Sequence, residues 1–348
     1  MKLYLFILLI LSPIFLTFGS ELFEQKRVSL LLEEVDVSET NDYYYSNGVP
    51  FAGKEYESVT KQHGILKIKK ELVDGKIRTY EGDVKPWSSW WWPSFQKNLF
   101  SSGTSTNNSP LGKYDRYYKK RFRVDPKTAF FEEKNLYNPR SVEWAGLCYP
   151  WSIVSLIVPE PNKSRIIRKI KFDVKDQKAL ILKSYELIEK GVKMYGVRNN
   201  SDWDDIFADI YPEQFHRFIQ VYLQDKKQSF VMDTDPKYPV WNVPVYKVQF
   251  KIIKEGNNLS VKAWVFTASP HVDDPNYVGT YIVTKTYTYQ LNITKEAGEY
   301  YHIGKGQWTD RSRWDHPDYL LIVDPEKMVH RSLNPKVKNE VVRDILGL

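Results

Sequence analysis

The sequence predicts an α+β protein in which one short helix packs on an antiparallel sheet. Three observations predict it. The only cysteine, Cys148, follows Gly146 and opens a short apolar helical run, Trp151–Ile157, that Pro159 and Pro161 stop. From His216 onward the hydrophobic period shifts towards two, in runs of Val, Ile, Thr and aromatic residues separated by polar turns. Finally, 348 residues with 42% hydrophobic and 15% aromatic content supply enough apolar surface for a core without crosslinks. That composition excludes a disordered or collagen-like chain. A single cysteine excludes an intrachain disulfide and any Cys-rich zinc or iron–sulfur site.

Met1 and Lys2 precede an apolar run that ends at Glu21, so residues 1–20 are expected to be a secretory signal, with a retained membrane anchor as the rival. No later run of 18 residues is apolar, so no stable membrane anchor and a secreted or periplasmic protein are expected. Residues 21–100 are taken as an N-terminal accessory region. Within it, Gly64–Tyr80 resembles a hairpin turning at Asp74–Gly75, and Pro86–Phe100 crowds Trp87, Trp90, Trp91 and Trp92 together. Residues 101–112, rich in Ser, Asn and Gly, are expected to form a flexible loop or linker. Residues 113–348, which contain Cys148 and the period-two runs, are expected to form the main domain with a C-terminal extension, and any catalytic site is expected there.

Inside that domain, Lys169–Val174 alternates like a strand and Asp176–Tyr195 has a helical period, with a further helix at Trp203–Tyr211. HRFIQVYL, the turn QDKKQ and SFVMD are expected to make a strand–turn–strand, and three longer strands follow. There is no internal repeat, phosphate loop or dinucleotide fingerprint. The net charge of +7 favours anionic surfaces only weakly, and the Lys/Arg clusters are small, so no nucleic-acid partner is expected.

A cysteine at a helix start can use unpaired N–H groups and the axial dipole to favour a thiolate, although an inert buried thiol fits the same position. Such a nucleophile wants a base and a group that orients it. His216, His271 and His316 are the serious histidines. His216 is preferred, because antiparallel pairing of HRFIQVYL with SFVMD would set it beside Asp233, seventeen residues later. Asp235 and Asn242 are the alternative orienters. Trp144, Trp151, Trp241 and Pro244 are candidates to line or support a substrate groove, and Trp144 could supply an indole N–H to an oxyanion.

EWAGLCYPWSIVSLIVPEP, FHRFIQVYL, SFVMDTDP and YPVWNVPVYKVQF, taken together, resemble the transglutaminase elicitor family of secreted enzymes of oomycetes and bacteria. PWSSWWWPSF and HPDYLLIVDP resemble its outlying segments. The Val240–Val245 run departs from the family's peptide at Val243, and Tyr246–Lys247 replaces its basic-Gly pair. The resemblance implies a papain-like or transglutaminase-like cysteine enzyme core. It also implies acyl transfer on glutamine, with the family cysteine at Cys148, its histidine at His216 and its acid at Asp233.

Three functions follow in order. The first is a protein-glutamine gamma-glutamyltransferase working through a cysteine thioester, with protein or peptide substrates carrying glutamine and amine donors. The second is a secreted cysteine protease, deamidase or cell-wall peptide hydrolase. The third is a noncatalytic secreted binding protein. No cofactor or metal is implied. Asp273–Asp274 alone offers too few oxygens for calcium, which stands only as an alternative activator.

Overall fold

The computed structural model describes residues 59–103, 105–142, 145–196, 210–234 and 242–348. The signal segment, Trp144, Asp235, Trp241 and most of the helix expected at Trp203–Tyr211 lie outside these described residues.

The chain enters through α1 (Val59–His63), β1 (Lys67–Lys69) and β2 (Ile77–Glu81). Helices α2 (Pro110–Phe122), α3 (Thr128–Phe131) and α4 (Cys148–Ile157) follow. A hairpin of β3 (Arg165–Ile167) and β4 (Ile170–Phe172) leads to α5 (Val174–Ser184), β5 (Leu187–Lys190) and β6 (Val192–Gly196). Helix α6 (Pro212–Ile219) precedes β7 (Phe230–Asp233) and four long strands. These are β8 (Asn242–Glu255), β9 (Asn258–Ala268), β10 (Ile282–Ala297) and β11 (Tyr300–Trp308). The chain closes with β12 (Tyr319–Val323), β13 (Val329–Arg331) and α7 (Asn339–Leu346).

Nine strands form one antiparallel sheet in the order β1-β11-β10-β9-β8-β7-β12-β6, with β2 also paired to β8. Its strands β7 to β10 fall in the period-two runs read from the sequence, but the first of those runs is not among them. The hairpin expected at Gly64–Tyr80 is not formed. A helical turn at Lys70–Leu72 separates its arms; β1 joins β11, and β2 joins the second half of β8. Seven residues thus carry the chain from one strand's edge to the other's. Lys70 N–H donates to Glu299 and Gly75 N–H to Ile252 along the way.

HRFIQVYL is not a strand. Phe215, Phe218, Ile219 and Tyr222 are buried, a helical spacing, and Pro212 starts the helix at its first turn. The helix widens into a π turn over Gln220–Asp225. The segment expected to be one long helix from Asp176 ends at Ser184 and turns into β5 and β6. The polar stretch 101–112 is also more ordered than a linker. Ser102 and Ser105 form a bridge, and the Ser109 hydroxyl accepts from Gly112 N–H at 3.1 Å to cap α2.

Alternation along β7 divides the molecule into two layers. Phe230 and Met232 face a core with Phe215, Phe218 and Ile219 of α6. Val231 faces the opposite side, where it shares a core with Ile153 and Leu156 of α4 and Leu321 and Val323 of β12. On that second side, α2, α4, α5 and α7 build a helical layer around Tyr114, Trp151, Leu180 and Ile345. Lys183 is buried within this layer and paired with Glu132 at 2.9 Å and Glu186 at 2.6 Å.

Candidate active site

Two backbone bonds fix the approach to Cys148. Leu147 N–H donates to the Trp91 carbonyl at 2.6 Å, and Ser94 N–H donates to Ala145 at 2.8 Å. Gly146 permits the contact. A Cβ there would lie 2.7 Å from the Trp91 oxygen and 2.9 Å from the Trp92 oxygen.

Helix α4 then begins at Cys148 as expected, without a side-chain cap. It has no polar face, since Trp151, Ser152, Ile153 and Val154 are fully buried in succession. Its serine hydroxyls turn back on the helix, Ser152 donating to Tyr149 and Ser155 to Ser152. Two reciprocal indole bonds clamp it. Trp151 Nε1 donates to the Trp87 carbonyl at 2.9 Å, and Trp87 Nε1 donates to Val158 at 2.9 Å. Trp151 is therefore a core support for the helix rather than a groove wall.

Cys148 keeps some exposed surface, yet burial pushes its thiol up to about 12. The thiolate expected from the helix dipole is not favoured, because among the described residues no cation compensates the desolvation of the sulfur.

The start of α4 lies at one end of the sheet. Leu147 shares a core with Ala268, the last residue of β9, and Tyr149 packs on the core that contains Tyr319, the first of β12. Pairing of Asp233 with Asn242 and of Val245 with Thr267 brings the end of β7 and the segment after β9 to the start of β8. Asp233 and Asn242 are both buried there. By the period of β7, Asp233 is on the α4 side, with Val231. The Tyr319 hydroxyl donates to Asn242 Oδ1 at 3.0 Å. Pro244 is buried opposite Val231 of β7, one residue before the pairing of β8 with β9 begins at Val245.

His271 lies just beyond the end of β9. Its ring is set edge-on to Trp91, centroids 5.0 Å apart, and Trp91 packs tilted against Trp90 at 4.2 Å. His271 is exposed, and partial desolvation lowers its pKa. The same tryptophan that holds the Cys148 loop thus packs against a histidine.

His216 is elsewhere. Its Nδ1 shares a 2.8 Å hydrogen bond with the Tyr289 hydroxyl, its ring lies 4.6 Å from Phe250, and burial lowers its pKa to about 3. It belongs to the α6 side of the sheet, so the sheet separates it from α4. The expected strand pairing with Asp233 fails for a plain reason: β7 is paired with β8 and β12, and His216 is helical. His316 also sits on the α6 side, stacked on Trp308 at 5.5 Å with Nδ1 bonded to the Ser312 carbonyl. His330 stacks on Tyr185. Among the described residues, no group of three or more His, Cys, Asp and Glu is arranged to hold a metal ion.

Residues 140–274 match the transglutaminase elicitor family. The matched segment contains Cys148, His216, Asp233, Asn242 and His271, and ends before His302, His316 and His330. The resemblance carried by the Cys148 and Trp241 motifs is therefore shown, while PWSSWWWPSF and HPDYLLIVDP fall outside the matched residues. The GP42 transglutaminase from Phytophthora sojae has a similar structure, with a TM-score of 0.59 and 16% identity. The similarity covers 85% of this chain and 94% of that one. At that identity it establishes a shared mixed helix and antiparallel-sheet fold. No curated protein matches in sequence.

Proposed function

We propose that the protein is a secreted protein-glutamine gamma-glutamyltransferase, with Cys148 as nucleophile and His271 as its base. The observation that carries this reading is the meeting of the α4 start, Trp91 and His271 at one end of the sheet. The similar family and fold support a transglutaminase-type core, a papain-like arrangement of nucleophile helix against sheet, and a protein or peptide substrate. His271 replaces His216 in the role, because an imidazole sealed behind the sheet cannot exchange a proton with Cys148.

In the first half-reaction the Cys148 thiol gives its proton to neutral His271 as sulfur bonds to the glutamine carboxamide carbon. The carbon–nitrogen bond breaks, and the imidazolium returns that proton to departing ammonia. A lysine amine then attacks the thioester and forms the isopeptide bond. The carbon–sulfur bond breaks, and the proton lost by the amine passes through His271 to sulfur. Because the thiol is pushed up to about 12, its deprotonation accompanies attack rather than preceding it. Asp233 is the orienter we assign. Asn242, whose amide oxygen takes the Tyr319 hydroxyl, holds the start of β8.

Mature protein incubated with a glutamine peptide and an amine probe, with and without calcium, tests this by product mass. Amine incorporation lost in Cys148→Ala is expected. Deamidation or cleavage without incorporation would move the hydrolase to first place. The raised thiol pKa favours one further reading, a noncatalytic binding protein with a structural cysteine. No product, together with lowered stability in Cys148→Ala, would select it.

A further inference from the structure

We propose that the buried Lys178–Glu160 pair positions His271 relative to Cys148, an inference that rests on the acyl-transfer reading above. Lys178 is fully buried, and its ammonium uses all three donors: the carbonyls of Ser88 and Tyr277 at 2.7 Å each, and Glu160 Oε1 at 2.6 Å. It also lies over the Trp87 ring, 4.9 Å from the centroid. Glu160 in turn accepts the Gly279 N–H, 3.0 Å from one carboxylate oxygen and 2.9 Å from the other.

Those contacts join the two halves of the site. Trp87 and Ser88 belong to the segment whose indole clamps α4 and whose Trp91 holds the Cys148 loop. Tyr277 and Gly279 belong to the loop 269–281 that carries His271. That loop is closed at its base by Ser269 N–H donating to Tyr281 at 2.9 Å. Further tethers run in parallel: Ser88 N–H to Gly279 at 2.8 Å, Tyr281 N–H to the Ser88 hydroxyl at 2.9 Å, and the Thr280 hydroxyl to Pro86 at 2.7 Å.

Packing alone does not account for the pair. Replacing a buried ion pair by apolar side chains of similar volume is often neutral or stabilising. An apolar side chain, however, could not bond to both the Ser88 and Tyr277 carbonyls. Burial lowers the Lys178 pKa and Glu160 opposes that, so removing the carboxylate charge weakens a buried group that bonds to both segments at once. Lys183, paired with Glu132 and Glu186, supplies an internal control. It is equally buried, but these ion-pair partners belong to neither the Trp segment nor the His271 loop.

The test is Glu160→Gln, compared with Glu132→Gln in the full chain. Misplacing a reacting group by an ångström costs about 10²-fold, so Glu160→Gln is expected to lower kcat roughly ten- to a hundredfold with the glutamine-donor KM nearly unchanged. Glu132→Gln should lose comparable thermal stability and keep its kcat. Thr280→Val, which cuts a milder tether of the same loop, should give a smaller fall in the same parameter. In a His271→Gln background, Glu160→Gln should have little further effect, because both act through one base. Folded Glu160→Gln and Thr280→Val enzymes with wild-type kcat would overturn the proposal, as would additive effects or an equal loss in Glu132→Gln. Full activity in His271→Gln alone would overturn the base assignment, and the positioning role with it.

Discussion

Trp91 packs against His271 with its ring and holds Leu147 with its carbonyl, so one residue lies between the proposed base and the residue before Cys148. Cross-strand pairing adds Asp233 and Asn242 to the same end of the sheet. The Trp-rich segment joins the start of the helix to the loop that carries His271.

The two histidines should separate cleanly on substitution. His271→Gln removes a base from the site and is expected to cut amine transfer about 10²–10⁴-fold with little change in stability. His216→Gln disturbs a buried hydrogen bond to Tyr289 and is expected to cost about 1–3 kcal/mol of stability. Once folded, that variant should still transfer amine. Turnover measured at matched thermal stability decides it, and the reverse pattern would restore His216.

Acid should destabilise the protein through His216. Its folded pKa is about 3 against an ordinary 6.5, so the unfolded chain takes up its proton first as pH falls. Stability is complete above pH 6.5 and is lost progressively towards pH 3. Within that window the slope from this group is about 1.4 kcal/mol per pH unit. His271 and His330 are also lowered by burial and act in the same direction. Denaturant unfolding at several pH values should therefore show a shallower slope in His216→Gln. An unchanged slope would mean that the imidazole is hydrated.

The sequence carried the sheet well and the site only in part. Strands β8, β9 and β10 alternate strongly, and the turns between them are polar, so local pattern and tertiary structure agree. HRFIQVYL misled because its β-branched and aromatic residues suit a strand, while Phe215, Phe218, Ile219 and Tyr222 satisfy a helix equally. That one segment took His216 to the wrong face. His271 was visible as a histidine after a strand, but its approach to Trp91 joins residues 180 positions apart and leaves no local signature. The role of Tyr319 was likewise hidden, because only the pairing of β12 with β7 brings it to Asn242.

Gly146→Ala should damage stability and catalysis together. The added methyl would press on two backbone oxygens at under 3.0 Å, and backbone cannot swing aside as a flexible side chain does. A loss of about 1–3 kcal/mol is expected from the overpacking. The loop that sets the start of α4 must shift to relieve it, so amine transfer should fall further than the folded fraction explains. Wild-type kcat per folded molecule would show that the Trp91–Leu147 contact does not position Cys148.

Alkylation of Cys148 against pH tests the neutral-thiol mechanism. Two effects oppose each other at the α4 start. The helix terminus favours the anion by about 0.3–1 kcal/mol, less than one pKa unit. Burial moves the thiol from 9.0 up to about 12, which is several times larger. Burial therefore wins, and the folded protein should label slowly at neutral pH, with a rate still rising above pH 9. The same shift makes folding weaker in base: above the ordinary thiol range the unfolded chain releases its proton while the folded chain retains it, so stability declines as pH climbs towards 12. Cys148→Ser should flatten that alkaline decline. A labelling rate that levels off near pH 7 would instead reveal a preformed thiolate–imidazolium pair. Proton transfer would then precede substrate attack, and His271 would carry a charge in the resting enzyme.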